Sequence, residues 1–175
     1  DNVNVRQTAE GLEINVMDSE KFSMFERGSA QLTEHGRTII AAITPTLKKM
    51  PNYMSIAGHT DASPAETGHA NYSNWELSAD RGQSVRRFLA QEGMEAERPK
   101  KVTGMADKEL YTPQEPRGPK NRRVAMVMLK GSHILIPDAA VPQGDAPVEV
   151  APSPAAAAPV AAPEPAPATP APAAH

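Results

Sequence analysis

The N-terminal part of the chain contains a run of alternating apolar and polar residues. Leu12, Ile14 and Val16 alternate with Glu13 and Asn15. Successive side chains of a β-strand point to opposite faces, so this period of two predicts a strand with one buried face.

The spacing of apolar residues changes to that of a helix over residues 33–50. One stripe is formed by Ile40, Ile43, Leu47 and Met50. Thr33 is a candidate N-cap, because its hydroxyl can accept a hydrogen bond from a free backbone N–H of the first turn. Pro45 lacks an N–H group and costs about 3 kcal/mol inside a helix, so a kink or an early break is expected there. Pro51 ends the segment.

The remaining chain predicts three more strands and one more helix. The strands are predicted at residues 53–58, 100–104 and 124–129. The second helix has the clearest limits, because Ser73 and Glu76 have the spacing of a capping box and Gly93 supplies a C-terminal stop. Residues 105–120 are predicted to form a loop, with one helical turn near Leu110.

The order of these elements predicts an α+β fold, a two-layer sandwich in which helices pack on one face of a mixed four-stranded sheet. Residues 1–8 are interpreted as a linker and residues 9–132 as the folded domain. Eleven of the 18 prolines lie from Pro137 onward, with alanine between them. Such a segment buries too little apolar surface to offset its ordering entropy, so residues 133–175 are expected to form a disordered tail.

Composition excludes several classes of function. The net charge of -3 and the pI of about 6.0 argue against a dedicated nucleic-acid-binding protein. The absence of cysteine excludes a disulfide framework and a thiol nucleophile. No apolar run approaches the roughly 18 to 20 residues that span a bilayer. Because the chain begins at Asp1, we expect it to be a processed or truncated product.

The first candidate site is the segment Gly-His-Thr-Asp at residues 58–61, where the second predicted strand ends. A polar group at a strand end is well placed to reach a ligand. Asp61 would then offer a carboxylate at the mouth of a loop. The alternative is that Asp61 only starts a turn and accepts a hydrogen bond from its own backbone.

The second candidate is Arg81, which lies in an apolar helical stripe with Leu77, Val85 and Leu89. A buried guanidinium needs a partner, and its planar fork fits a carboxylate. One interpretation is an internal salt bridge between Arg81 and Asp61. The other is that both residues face a pocket and bind a ligand with one anionic and one cationic end.

The third candidate is Asn-Arg-Arg-Val at residues 121–124, which leads into the last predicted strand. Strand alternation sends Arg122 and Arg123 to opposite faces, so one of them could point toward the ligand loop. The alternative is a pair of solvated arginines.

These three segments, in this order and spacing, resemble the OmpA-like peptidoglycan-binding domain. The middle segment runs Asn-Trp-Glu-Leu-Ser-Ala-Asp-Arg over residues 74–81, and the resemblance covers about residues 10–130. Two stretches are similar more narrowly to the MotB family of flagellar stator proteins. They are residues 11–30, which include Met-Phe-Glu-Arg-Gly-Ser-Ala, and residues 72–81.

The resemblance implies a site for diaminopimelate, a wall-peptide residue with both amine and carboxylate groups. Asp61 would bind the amine and Arg81 the carboxylate. By the same resemblance, Thr60, Asn74, Leu77 and Arg122 would line the site. The loop between Asp61 and Asn74 is longer than in the shortest family members, which leaves open whether residues 64–71 cover the site.

The resemblance also implies partners and a location. Stator proteins of this family form homodimers and join a MotA-type subunit through an N-terminal membrane helix, which is not part of this sequence. The chain would be the periplasmic domain of a protein anchored in the bacterial inner membrane. The alternative is an OmpA-like wall anchor of another envelope protein, such as a lipoprotein or an outer-membrane protein.

A catalytic function has less support in the sequence. His59, Asp61 and His69 could be considered as a metal site, and Ser55 or Ser78 as a nucleophile. No nucleophile elbow or HExxH helix supports either assignment. We therefore expect no enzyme activity, no cofactor and no metal, and we expect His59 to make an orienting hydrogen bond at its strand end.

Overall fold

The computed structural model of the protein describes residues 2–133. The predicted tail lies outside the described residues, except for its first position. The described elements are β1 (Val3–Gln7), β2 (Gly11–Met17), α1 (Glu34–Lys49), β3 (Asn52–His59), α2 (Asn74–Gln91), β4 (Pro99–Gly104), a 3-10 turn (Pro119–Asn121) and β5 (Arg123–His133).

Two helices and a mixed five-stranded sheet form the fold, which confirms the predicted α+β class. The strand order is β1-β2-β5-β3-β4, and only the β3–β4 pair is parallel. The predicted number of strands was too low. The segment interpreted as a linker contains the strand β1, in which Val3 and Val5 pair opposite Val16 and Ile14.

The sheet register brings three chain segments to one edge. β2 and β3 flank β5, and both are antiparallel to it. Met17 at the end of β2 and His59 at the end of β3 both pair with Arg123 at the start of β5. The residues just beyond these strand ends therefore meet at the same place.

Helix α1 begins as its sequence predicts and continues further than expected at Pro45. The Thr33 hydroxyl accepts from the Gly36 N–H at 3.0 Å. The helix runs through Pro45 to Lys49, so the predicted early break does not occur. Ile40 and Leu47, on either side of the proline, are fully buried in the core, and this packing holds the helix together.

Helix α2 lies directly on β3 because a glycine allows it. The predicted capping box of Ser73 and Glu76 is present, and Gly93 follows the helix with a φ of +82°. A Cβ atom on Gly58 would lie 1.9 Å from the Ser78 carbonyl oxygen. Only glycine permits this approach, which sets Arg81 near the end of β3.

The segment between β4 and β5 differs in part from its predicted structure. The segment near Leu110 forms turns rather than a helical turn, and the only 3-10 turn in residues 2–133 lies at Pro119–Asn121. No helix in the described part of the chain is long and apolar enough to cross a membrane.

Candidate ligand-binding cleft

A buried ion-pair chain forms where the three strand ends meet. Asp18 follows β2, Asp61 follows β3 and Arg122 precedes β5. The Arg122 Nε donates to Asp18 Oδ2 at 2.8 Å, and its Nη1 donates to Asp61 Oδ2 at 2.7 Å. Burial alone would lower the pKa of Arg122, but the hydrogen bonds to both carboxylates outweigh it and raise the pKa above its ordinary value.

Asp61 is bound on both oxygens. Its Oδ1 accepts from the Ser63 N–H at 2.8 Å, so Asp61 does start the turn that the sequence allowed. Its Oδ2 binds Arg122, and the residue is 6% exposed. The internal Asp61–Arg81 salt bridge is not formed, because Arg122 takes that position. A carboxylate still has further lone pairs to offer when two are engaged.

Arg81 approaches the same place from α2. Its Nε donates to the Ser29 carbonyl at 3.0 Å, and its guanidinium carbon lies 4.9 Å from the centre of the Phe25 ring. Within residues 2–133, the two Nη groups make no hydrogen bond and no ion pair. Burial lowers the pKa of Arg81, and the nearby Asp18 carboxylate opposes this most strongly.

Asp61 and Arg81 both line one cleft of about 430 Å³. All six residues proposed from the sequence are on its wall: Thr60, Asp61, Asn74, Leu77, Arg81 and Arg122. The geometry therefore matches the second interpretation of Asp61 and Arg81, in which both face a pocket.

The loop after β3 supplies another wall. Pro64, Ala65 and Glu66 line the cleft. The Asn74 Nδ2 donates to the Ser63 carbonyl at 2.8 Å and so fixes the start of this loop against α2. Glu66 accepts two hydrogen bonds from Arg27 at 2.7 and 3.0 Å, which joins the loop to the segment before α1.

Thr60 and Leu77 give the cleft a mixed lining. The Thr60 N–H donates to the Ala106 carbonyl at 2.8 Å, but its buried Oγ1 has no hydrogen-bond partner among the described residues. Leu77 is 4% exposed and supplies apolar surface. A ligand with polar ends and a hydrocarbon middle matches such a lining.

Arg123 lies on the opposite face of the sheet, as strand alternation predicts. Its Nε donates to Asn15 Oδ1 at 3.2 Å and its Nη1 to the Glu109 carbonyl at 2.9 Å. Its guanidinium also lies 5.7 Å from the centre of the Tyr111 ring. The alternative of two solvated arginines is therefore wrong.

His59 shares that opposite face and does not have the expected orienting hydrogen bond. Its Nδ1 is buried without a partner among residues 2–133. Burial, together with the nearby Arg123, lowers the pKa of His59 to about 3, so the ring is neutral at physiological pH. No group of three or more metal-binding side chains comes together in the described part of the chain.

Asp18 is 3% exposed and joined to Arg122, and it was not among the residues predicted from the sequence. The available indication was its position, because Asp18 follows β2 as Asp61 follows β3. The contact of Arg81 with Ser29 and Phe25 was also missed. Nothing in the sequence predicts it, since 52 residues separate Arg81 from Ser29.

The sequence of this domain matches that of a known family. The sequence pattern of the OmpA family matches residues 24–123, so the chain belongs to the OmpA family. The chain is 41% identical to Motility protein B of Escherichia coli K12 over 120 residues. That match covers 69% of this chain and 39% of the relative, so the chain spans less than half of that protein.

Solved structures with the same fold include a MotB periplasmic domain and a cell wall anchor. The periplasmic domain of Helicobacter pylori MotB superposes with a TM-score of 0.63 at 20% identity, covering 76% of this chain and 85% of that one. The cell wall anchor of the T6SS from Pseudomonas aeruginosa gives 0.59 at 22%, covering 73% and 87%. At these identities, the likeness is one of fold. The resemblance to the OmpA and MotB families is confirmed by the sequence matches.

Proposed function

We propose that this domain binds peptidoglycan without catalysis and anchors a flagellar stator to the cell wall. The bound group would be the diaminopimelate side chain of the stem peptide. Similarity to Motility protein B supports the motor assignment, and membership of the OmpA family supports wall binding.

The open guanidinium of Arg81 carries this proposal. Arg81 lines the cleft, its Nε is held by Ser29, and its Nη groups have no partner in residues 2–133. A ligand carboxylate can bind such a fork in a bidentate manner. Each charge-assisted hydrogen bond contributes about 1.5 to 3 kcal/mol.

The opposite end of the ligand would be bound by Asp61. Its carboxylate is fixed by Ser63 and Arg122, so it needs no rearrangement to accept from an ammonium group. Leu77 would pack against the methylene groups between the two ends.

A non-catalytic role agrees with the cleft chemistry. The Asp61 carboxylate is engaged by a guanidinium and a backbone N–H, and His59 lies on the other face of the sheet. The names of the relatives indicate motility and anchoring rather than catalysis. Incubation with purified muropeptides should release no fragments, and release would contradict the non-enzymatic assignment.

The remaining parts of the proposal concern the whole protein. The domain would be periplasmic, and an inner-membrane helix preceding this sequence would join it to a MotA-type subunit. A homodimer would place two clefts on the same wall and increase the apparent affinity through avidity.

Sedimentation with purified peptidoglycan tests the wall-binding step. Arg81→Ala and Asp61→Ala should each lose sedimentation, and free diaminopimelate should compete with the wall for the unaltered domain. Arg87→Ala is the matched control, because Arg87 is exposed on the same helix and lies away from the cleft. Sedimentation of a folded Asp61→Ala, Arg81→Ala double variant at the original level would refute the site.

A second candidate is a wall anchor for another envelope assembly. The fold likeness to the T6SS cell wall anchor favours it. Expression of the full-length protein in a motility strain that lacks its own stator protein separates the two. Restored swimming supports the stator assignment, and wall binding without swimming supports the alternative.

A further inference from the structure

We propose that Asp18 sets the selectivity of the cleft for a zwitterionic group over a purely anionic one, and that it acts through Arg122. This inference depends on the proposed function, because it concerns how the same cleft distinguishes its ligand. Asp18 itself is a positioning residue and lies behind Arg122, away from the wall of the cleft.

Asp18 is held rigidly in place. Its Oδ1 accepts from the Met24 N–H at 2.7 Å, and its Oδ2 accepts from the Ser23 hydroxyl at 2.6 Å and from the Arg122 Nε at 2.8 Å. The Asp18 N–H donates to the Arg122 carbonyl at 2.9 Å. The two residues are therefore joined through both backbone and side chains.

The shared guanidinium decides which charges remain for a ligand. Arg122 lies between two carboxylates, so this group of three carries one net negative charge. That charge is available to a cation at Asp61. The guanidinium of Arg81 has Asp18 as its strongest nearby charge but forms no ion pair within residues 2–133, so it is available to an anion. The four charges at the cleft thus sum to zero, which complements a ligand group that is itself neutral overall.

Removal of the Asp18 charge would change the sum of the charges at the cleft from zero to plus one. Asp61 and Arg122 would then neutralise each other, and Arg81 would leave the site with one net positive charge. Such a site favours a plain carboxylate, because a ligand ammonium no longer meets an uncompensated negative charge.

The other charges on the cleft do not replace Asp18. Glu26 is exposed, and Arg27 pairs with Glu66 at 2.7 Å with both side chains largely in solvent. Solvent and salt screen such charges far more than buried ones. Asp18 also precedes residue 24, where the match to the OmpA family begins, so the family pattern does not assign it a role.

Two ligands of equal length test the inference. Diaminopimelate carries amine and carboxylate groups, and pimelate is the same dicarboxylate without amines. Their dissociation constants are measured by titration calorimetry for the unaltered domain and for Asp18→Asn. We expect Asp18→Asn to weaken diaminopimelate binding by about tenfold or more, as for loss of one charge-assisted contact, and to leave pimelate binding equal or tighter.

Arg122→Met tests the same sum of charges by removing a positive charge instead of a negative one. This variant leaves two carboxylates and one guanidinium, so it should weaken pimelate more than diaminopimelate. The Asp18→Asn, Arg122→Met double variant restores a charge sum of zero and should recover part of the preference that Asp18→Asn loses. Glu92→Gln is the matched control, because it removes one exposed carboxylate at the end of α2, away from the cleft, and should not alter the ratio of the two constants.

The outcomes separate the two proposals. An unchanged ratio, or equal weakening of both ligands, in folded Asp18→Asn would overturn the role of Asp18 and leave wall binding intact. If Asp18→Asn does not fold, an unchanged ratio in Arg122→Met overturns it instead. Failure of the unaltered domain to bind diaminopimelate would overturn the proposed function and this inference together.

Discussion

Arg122 and Arg123 are neighbours in the chain, but they belong to two different polar regions of the molecule. Arg122 bridges Asp18 and Asp61 beside the cleft, and about a third of its side chain is exposed. Arg123 is buried on the opposite face of the sheet with Asn15 and the Glu109 carbonyl. Burial lowers the pKa of Arg123 below its ordinary value, whereas the two carboxylates raise that of Arg122.

The two regions differ in how far their carboxylate and guanidinium groups are engaged within the protein. On the opposite face, the Arg6 Nη2 donates to Glu13, and the Asn15 Nδ2 donates to Glu13 at 2.6 Å. Hydrogen bonds from these partners outweigh the effect of burial and lower the pKa of Glu13. At the cleft, Arg81 keeps two nitrogen groups without a partner in residues 2–133. A polar network that is closed stabilises the fold, and one that is left open can bind a ligand.

The largest expected effect on stability is in the closed region. Arg123→Met should reduce the free energy of unfolding by about 3 to 5 kcal/mol, because Asn15 and the Glu109 carbonyl lose their buried donor and Glu13 loses a nearby cation. Urea denaturation measures this loss. Lys101→Met is the control on an exposed position and should change stability little. A loss below about 1 kcal/mol in Arg123→Met would contradict a structural role.

Acid should affect the same region through His59. Its pKa of about 3 in the folded state lies below its ordinary value of 6.5, so the unfolded chain takes up a proton first as the pH falls. The contribution of neutral His59 to the free energy of unfolding is fully present above about pH 6.5 and is lost as the pH falls toward 3. Between pH 7 and pH 4, this loss is about 3 kcal/mol.

A comparison with His59→Gln isolates this contribution from that of the carboxylates. The free energy of unfolding of both proteins is measured by urea denaturation at pH 7 and pH 4. The variant should lose about 3 kcal/mol less than the unaltered protein over this interval. Equal losses would show that His59 in the folded state takes up its proton near its ordinary pKa of 6.5.

Sequence periodicity predicted most of the fold because burial imposes it. The stripe of Ile40, Ile43 and Leu47 defined α1, and the alternation around Ile14 defined β2. The strand β1 was missed since it is short and lies at the edge, where little of it is buried. Continuation of α1 through Pro45 was missed because tertiary packing, which the local sequence does not reveal, outweighs the local cost.

The site was predicted in its residues but not in its pairing. Strand ends and a charged residue in an apolar stripe identified Asp61 and Arg81. Which carboxylate meets which guanidinium depends on the register of β5 between β2 and β3. Asp18 and Arg122 are 104 residues apart, so only the sheet topology joins them.

A smaller loss of stability is expected from the corresponding change beside the cleft. Arg122→Met should cost about 2 to 3 kcal/mol, less than Arg123→Met, because solvent reaches about a third of the Arg122 side chain and both carboxylates keep other donors, Ser23 and Met24 for Asp18 and the Ser63 N–H for Asp61. Urea denaturation of the two variants side by side measures the difference. Equal losses would remove the distinction between an open and a closed region.

The smallest effect is expected at the exposed pair that joins the two sides of the cleft entrance. Arg27 and Glu66 are 87% and 65% exposed at their side chains, so solvent screens their attraction despite the 2.7 Å distance. Arg27→Ala should therefore change the free energy of unfolding by at most about 0.5 kcal/mol. Arg37→Ala, at an exposed position of α1, provides the reference for loss of a surface arginine. A loss well beyond that reference would show that Arg27 holds the loop after β3 in place, and would assign a structural role to the entrance as well as to the opposite face.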